Sequence, residues 1–142
     1  FVDKGQEIVF TKGKIKDWDN SYLSVNNALD TQIPLVVMMD NNSASASEIL
    51  AGAMKDYGRA VIVGSPNSYG KGTVQTFVEL NRFLNTNDDF GALKLTIQKF
   101  YRINGKSTQL KGVESDIPMK DVFSYEEIGE RFDKFALISP LI

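Results

Sequence analysis

The apolar positions of this chain change their period several times, and each change marks an element. Residues 6–11 form a short β-branched run between Gly5 and Gly13, which predicts a strand. Residues 14–32 are polar and mixed, with a turn-like cluster at Asp17-Trp18-Asp19-Asn20-Ser21, and read as a surface excursion with a short helix at 25–29. Then Ile33-Pro34-Leu35-Val36-Val37-Met38-Met39-Asp40 runs apolar without interruption until Asn41-Asn42. Such a run predicts a strand buried on both faces, as in a parallel sheet. Pro34 opens it, where a missing N–H matters least.

Across 45–57 the period becomes helical, with Ile49, Leu50, Ala53, Met54 and Tyr57 on one face. Ser45 with Glu48 three residues on matches a capping box, and Gly58 supplies a stop. Further strands are predicted at 60–64, 73–80 and 92–103. The last alternates Leu93, Leu95 and Ile97 against Lys94, Thr96 and Gln98, so one face is expected to pack and the other to stay wet. The polar stretch Asn85-Thr86-Asn87-Asp88-Asp89 reads as a loop, and Asn104-Gly105 as a tight turn. Ser124 followed by Glu127 predicts the start of an amphipathic helix over 124–135. No internal repeat is present.

The central order of strand, helix and strand predicts an α/β fold. Ser45 then falls where a buried strand turns into a helix, and Lys71 in a glycine loop after the next strand. In open α/β sheets the carboxyl ends of the strands are where chemistry gathers.

Composition narrows the chemistry. A length of 142 residues with 42% hydrophobic and 24% charged residues is that of one ordinary globular domain. The net charge of −2, with both signs interspersed, leaves no basic footprint for nucleic acid. The longest apolar stretch, Leu35 to Met39, is too short to span a bilayer. The absence of cysteine excludes disulfides, thiolate catalysis and cysteine-ligated metal. The absence of histidine removes the commonest general base and metal ligand. A hydrolase built from this chain uses lysine or a carboxylate as its base, and no cofactor or metal is expected. Phe1-Val2-Asp3-Lys4-Gly5 has no charged segment followed by an apolar one, as a signal peptide would. It reads as the tail of an element cut at its front, so a truncated fragment is expected.

Ser45 and Lys71 are the sharpest candidates, as nucleophile and base. A serine before a helix is most often a cap, and Glu48 makes that reading specific. The same position has exposed backbone N–H groups beside it, and that of Ala46 would serve as an oxyanion donor. A lysine acting as base must be held neutral by burial against apolar neighbours such as Tyr69 and Val74. Gln75, four residues on, would orient it. The rival reading takes residues 64–73 as a phosphate loop, whose spacing they do not match, and nucleotide-dependent thermal stabilisation would support it. Five residues separate Gly64 from Gly70, Gly72 stands at the hydroxyl position, and a β-type run follows.

Several longer motifs occur together: Ser43-Ala44-Ser45-Ala46-Ser47-Glu48-Ile49, Asp56-Tyr57-Gly58-Arg59-Ala60, Gly70-Lys71-Gly72-Thr73-Val74-Gln75, Thr96 through Gly105, and Ser107 through Val113. In this order the chain resembles the carboxyl-terminal processing, or tail-specific, serine protease family. The resemblance covers residues 1–121, leaving 122–142 as a C-terminal helical extension. It implies an α/β core of the crotonase and Clp-protease type, here a partial catalytic core. It also implies a Ser-Lys endopeptidase that cuts unfolded or tagged proteins near their C-termini, bound as extended peptide.

Carried over by motif, Ser45 resembles the nucleophile, Lys71 the general base and Gln75 the residue that positions the lysine. Ser43 and Ser47 flank the nucleophile and are easily confused with it. The loop 65–69 is one residue longer than the family's usual form. A glycine-rich segment with a second oxyanion donor, and a PDZ domain, are expected upstream in the parent protein. The family also implies a bacterial periplasm or cell envelope. The alternative is a noncatalytic scaffold that binds extended peptides by strand addition.

Overall fold

The continuous apolar run and the alternating runs go to different sheets. The structure, a computed structural model, describes residues 1–83, 88–120, 122–123 and 125–138. Among these, the elements in chain order are β1 (Glu7–Gly13), β2 (Asn20–Leu23), β3 (Val36–Met39), α1 (Ala46–Asp56), β4 (Val61–Gly64), β5 (Thr73–Glu79), β6 (Ala92–Tyr101) and β7 (Ile117–Pro118). Strands β3, β4 and β7 form a parallel sheet in that order, with Val36 opposite Val61 and Val63 opposite Ile117. Strands β2, β1, β6 and β5 form an antiparallel sheet in that order. The expected α/β centre is therefore present, as β3-α1-β4.

The core is small. Met39, Ala51, Ile62 and Val113 are buried together, with Val37 packed against them. Side chains alternate across a strand, so Val37 and Met39 face this core while Val36 and Met38 face away, 63% and 83% exposed. Burial of this strand on both faces is thus not observed, because among the described residues nothing covers the second face. The helix also rolls relative to its apolar spacing: Glu48, Ala51, Gly52, Ala53 and Met54 are buried and Leu50 is exposed. Arg102 crosses the helix at Gly52. A Cβ on Gly52 would lie 3.1 Å from its Nε.

Side-chain ties hold the layers in place. Arg102 Nε donates to Asp56 at 2.9 Å and its Nη2 forms an ion pair with the same carboxylate, which also accepts from Asn104. Tyr57 O–H donates to the Glu7 carbonyl at 2.7 Å, joining the end of α1 to β1. The Asn104-Gly105 turn closes as expected, with Gly105 N–H donating to the Arg102 carbonyl and a φ of +80° at Gly105.

Three expectations fail for physical reasons. In β6, Leu93 and Leu95 stay 49% and 40% exposed, and only Phe100 and Tyr101 are buried. Within β6, strand β1 pairs with residues 98–101 alone, so the far end of the β5–β6 hairpin is a two-stranded ribbon with no layer to bury against among the described residues. No helix forms at 25–29, where Val25 and Leu29 are exposed and Asp30 instead caps a turn by accepting from the N–H groups of Gln32 and Ile33. The helix expected over 124–135 is replaced, among the described residues, by turns and a short 3-10 helix at Glu130–Phe132. Gly129, with φ +130°, breaks the stretch so that Glu130 N–H can donate to the Tyr69 carbonyl at 2.9 Å. Ser124 and Asn85-Thr86-Asn87 lie outside the described residues.

Lys55 and Asp116 tie α1 to the approach to β7. The Asp116 carboxylate pairs with Lys55 and accepts from Ile62 N–H at 2.9 Å. The Lys55 hydrogen bond, then the Ile62 amide, hold its carboxyl below the ordinary aspartate range. A depressed carboxyl pKa gives stability that is complete above the ordinary value and lost as pH falls through the depressed one. Urea unfolding of wild type and Asp116→Asn is thus expected to differ at neutral pH and converge in acid; a pH-independent difference would contradict this.

Candidate active site

Ser45 links β3 to α1 with φ +55° and ψ −109°. These are close to the angles of the first central residue of a type II′ turn, a region normally left to glycine. The Ala44 carbonyl accepts from Ser47 N–H at 3.1 Å and closes that turn, and the Ser45 carbonyl accepts the first helical bond from Ile49 at 3.0 Å. A non-glycine residue held here stores about 1–3 kcal/mol of strain. Ala46 N–H, the first of the helix, meets no acceptor among the described residues and lies at the positive end of the helix dipole.

Lys71 sits in the loop after β4, and the chain segment 107–113 presses on that loop. Leu110 N–H donates to the Gly70 carbonyl at 2.8 Å, Gly72 N–H to Gln109 Oε1 at 2.9 Å, and Ser68 N–H to the Val113 carbonyl at 3.0 Å. A Cβ on Gly70 would lie 2.6 Å from the Leu110 oxygen, and one on Gly72 would lie 2.6 Å from the Gln109 nitrogen. The glycines around Lys71 are there because backbone approaches backbone.

Glu48 joins the two loops. Its carboxylate is wholly buried and accepts from Ser45 N–H at 2.8 Å and Lys71 N–H at 3.0 Å on Oε2, and from Gly70 N–H at 2.7 Å and Ser68 Oγ at 2.6 Å on Oε1. Ser68 Oγ in turn accepts from Val113 N–H at 2.7 Å.

Ser45, Lys71 and Gln75 line one cavity of about 630 Å³, whose apolar wall includes Val9, Ile49 and Phe100. Neither flanking serine lines this cavity: the Ser43 hydroxyl donates to Asp40 at 3.0 Å, and Ser47 is exposed. Ala46 is exposed next to Ser45. Gln75 follows a register shift in β5, and its Nε2 lies 3.4 Å from Thr96 Oγ1; no hydrogen bond joins it to Lys71. The arrangement brings a hydroxyl, an amine and an open backbone N–H to the carboxyl ends of β3 and β4.

The model of peptidase family S41 matches residues 1–119. The chain belongs to that family. It is 50% identical over 104 residues, or 72% of its length, to a tail-specific protease of Haemophilus influenzae. It is 39% identical over 117 residues, or 82% of its length, to a carboxy-terminal-processing protease of Bartonella bacilliformis. The solved structure of a photosystem II D1 C-terminal processing protease superposes with a TM-score of 0.69 at 30% identity, covering 84% of this chain and 28% of that one. The α/β core is thus that of S41 peptidases. The chain spans 15% and 25% of the lengths of the two bacterial relatives. Other relatives are chloroplastic, among them a carboxyl-terminal-processing peptidase of Arabidopsis thaliana.

Two features of this candidate site are not legible in the sequence. Glu48 was legible as a helix cap, but three of its four donors come from a loop more than 19 residues away. Ser68 and Gln109 carried no signal beyond their nearness to glycines. The strain at Ser45 generates a prediction of its own. Ser45→Gly and Ser45→Ala both remove the hydroxyl, but only glycine relaxes the turn. The glycine variant is expected to be more stable to urea by about 1 kcal/mol; an alanine variant of equal or greater stability would show that the turn is unstrained.

Proposed function

We propose that this S41 chain carries the Ser-Lys part of a serine endopeptidase that cuts proteins near their C-termini. The observation that supports this is the shared cavity: of the three neighbouring serines, Ser45 faces it together with Lys71. A strained strand-to-helix turn is also how α/β hydrolases present a nucleophilic serine. In the proposed reaction, neutral Lys71 Nζ takes the proton from Ser45 Oγ as the oxygen attacks the peptide carbonyl. The carbonyl oxygen becomes an oxyanion and accepts from Ala46 N–H. Lys71 then returns the proton to the departing amine, and water, deprotonated by Lys71, releases the acyl group. Gln75 orients Lys71 by exchanging its long contact with Thr96.

Among the described residues strand β5 pairs only with β6, which leaves its other edge free beside the cavity. An extended peptide can add there as a strand. The same edge favours the second reading, a scaffold that binds peptide without cutting it. In the first reading, a further oxyanion donor and a substrate-recognition PDZ domain come from upstream sequence. Loss of one oxyanion donor costs about 100-fold to 1000-fold in rate, so this chain alone is expected to be slower than the full-length protein. An envelope location in a bacterium belongs to the same reading.

The test is covalent labelling of the full-length protein by phenylmethylsulfonyl fluoride, with mass mapping. Modification at Ser45 that disappears in Lys71→Ala is the expected result. Absence of labelling at Ser45, with peptide binding retained, would favour the scaffold.

A further inference from the structure

Resting on the reading of Ser45 and Lys71 as nucleophile and base, we infer that Glu48 is the positioning residue that sets these two against each other. A helix cap needs only the contact to Ser45 N–H. The other three donors, from Ser68, Gly70 and Lys71, belong to the loop that carries the base. One oxygen, Oε2, holds the backbone nitrogens of both Ser45 and Lys71 within 3.0 Å. No substrate contact is implied, since Glu48 is wholly buried and does not line the cavity.

The chemistry requires a carboxylate rather than any polar group of that size. Among the described residues no lysine or arginine pairs with Glu48. Four neutral donors converge on its two oxygens instead. Each oxygen accepts two donors, which an amide cannot reproduce. In Glu48→Gln, placing the amide oxygen at the Oε2 position keeps Ser45 and Lys71. The amide NH₂ then opposes Gly70 N–H, donor against donor, while the Ser68 hydroxyl can turn to accept. The opposite flip sets the NH₂ against the amides of Ser45 and Lys71 themselves. Either way the lysine loop shifts relative to the serine turn.

This separates the clamp from a plain cap. Capping boxes accept glutamine as readily as glutamate, so a cap predicts that Glu48→Gln is silent. A clamp predicts lost turnover with binding kept, because the substrate surface is untouched. Displacement of a catalytic group by about 1 Å costs up to about 100-fold.

The experiment uses the full-length protein and fluorescein-labelled casein as probe. Wild type, Glu48→Gln and Ser68→Ala are compared in kcat, KM and rate of Ser45 labelling by phenylmethylsulfonyl fluoride. Glu48→Gln is expected to lose about 10-fold to 100-fold in kcat and in labelling rate at unchanged KM. Ser68→Ala, which leaves both bonds to Oε2, is expected to lose less, again at unchanged KM. It carries the test if the glutamine variant does not fold. Wild-type kcat and labelling in Glu48→Gln, or in Ser68→Ala where only that variant folds, would overturn the inference alone, and so would a loss confined to KM. Lack of Lys71-dependent labelling in the wild type would instead remove the reading of Ser45 and Lys71, and the inference with it.

Discussion

A buried carboxyl group is accommodated only where enough donors converge on it, and in this molecule they converge from two directions. Glu48 sits in the first turn of α1 and accepts from the turn before the helix and from the loop after β4. Burying a polar group is costly, and hydrogen bonds to it offset that cost. The donors are backbone N–H groups and one hydroxyl, so satisfying Glu48 dictates the backbone course of residues 68–71. That course requires glycine at Gly70, where Leu110 crosses within a distance no side chain would allow. Segment 107–113 is held in turn by Ser68 and Gln109.

The parallel sheet explains why the two loops meet. Strands β3 and β4 are neighbours and run the same way, so the segments leaving their carboxyl ends emerge side by side. The first delivers Ser45 and the second Lys71. Helix α1 packs on one face of this sheet and fixes Glu48 between them. The antiparallel sheet supplies the apolar wall of the cavity through Val9 and Phe100, and the free edge of β5. Among the described residues nothing covers the other face of the parallel sheet, with Val36 and Met38.

Much of this was legible from residue order. The β-branched run of β3, the helical spacing of α1, its stop at Gly58 and the Asn104-Gly105 turn are local signals, and local chemistry fixes them. Expectations failed where the outcome depends on what packs against an element. Leu93 and Leu95 alternate as a half-buried strand should, yet among the described residues no layer lies over them. Residues 125–135 carry a helical pattern, but the contact of Glu130 with Tyr69 is made by breaking it at Gly129. Glu48 shows the same limit at the site. Its capping role is visible from a serine three residues earlier, whereas its hold on the lysine loop depends on donors that only the fold brings near. The motif points to Gln75 as a partner of Lys71; in the structure its amide lies 3.4 Å from Thr96 Oγ1, next to a register shift in β5.

The most direct test of the account is a crystal structure of the full-length protein after reaction with phenylmethylsulfonyl fluoride. The account predicts sulfonyl bonded to Ser45 Oγ, a sulfonyl oxygen accepting from Ala46 N–H, Lys71 Nζ within hydrogen-bond reach of Oγ, and Glu48 keeping its four donors. Sulfonyl on Ser43 or Ser47, or a Lys71 side chain turned away from Ser45 with Glu48 released from the loop, would contradict it.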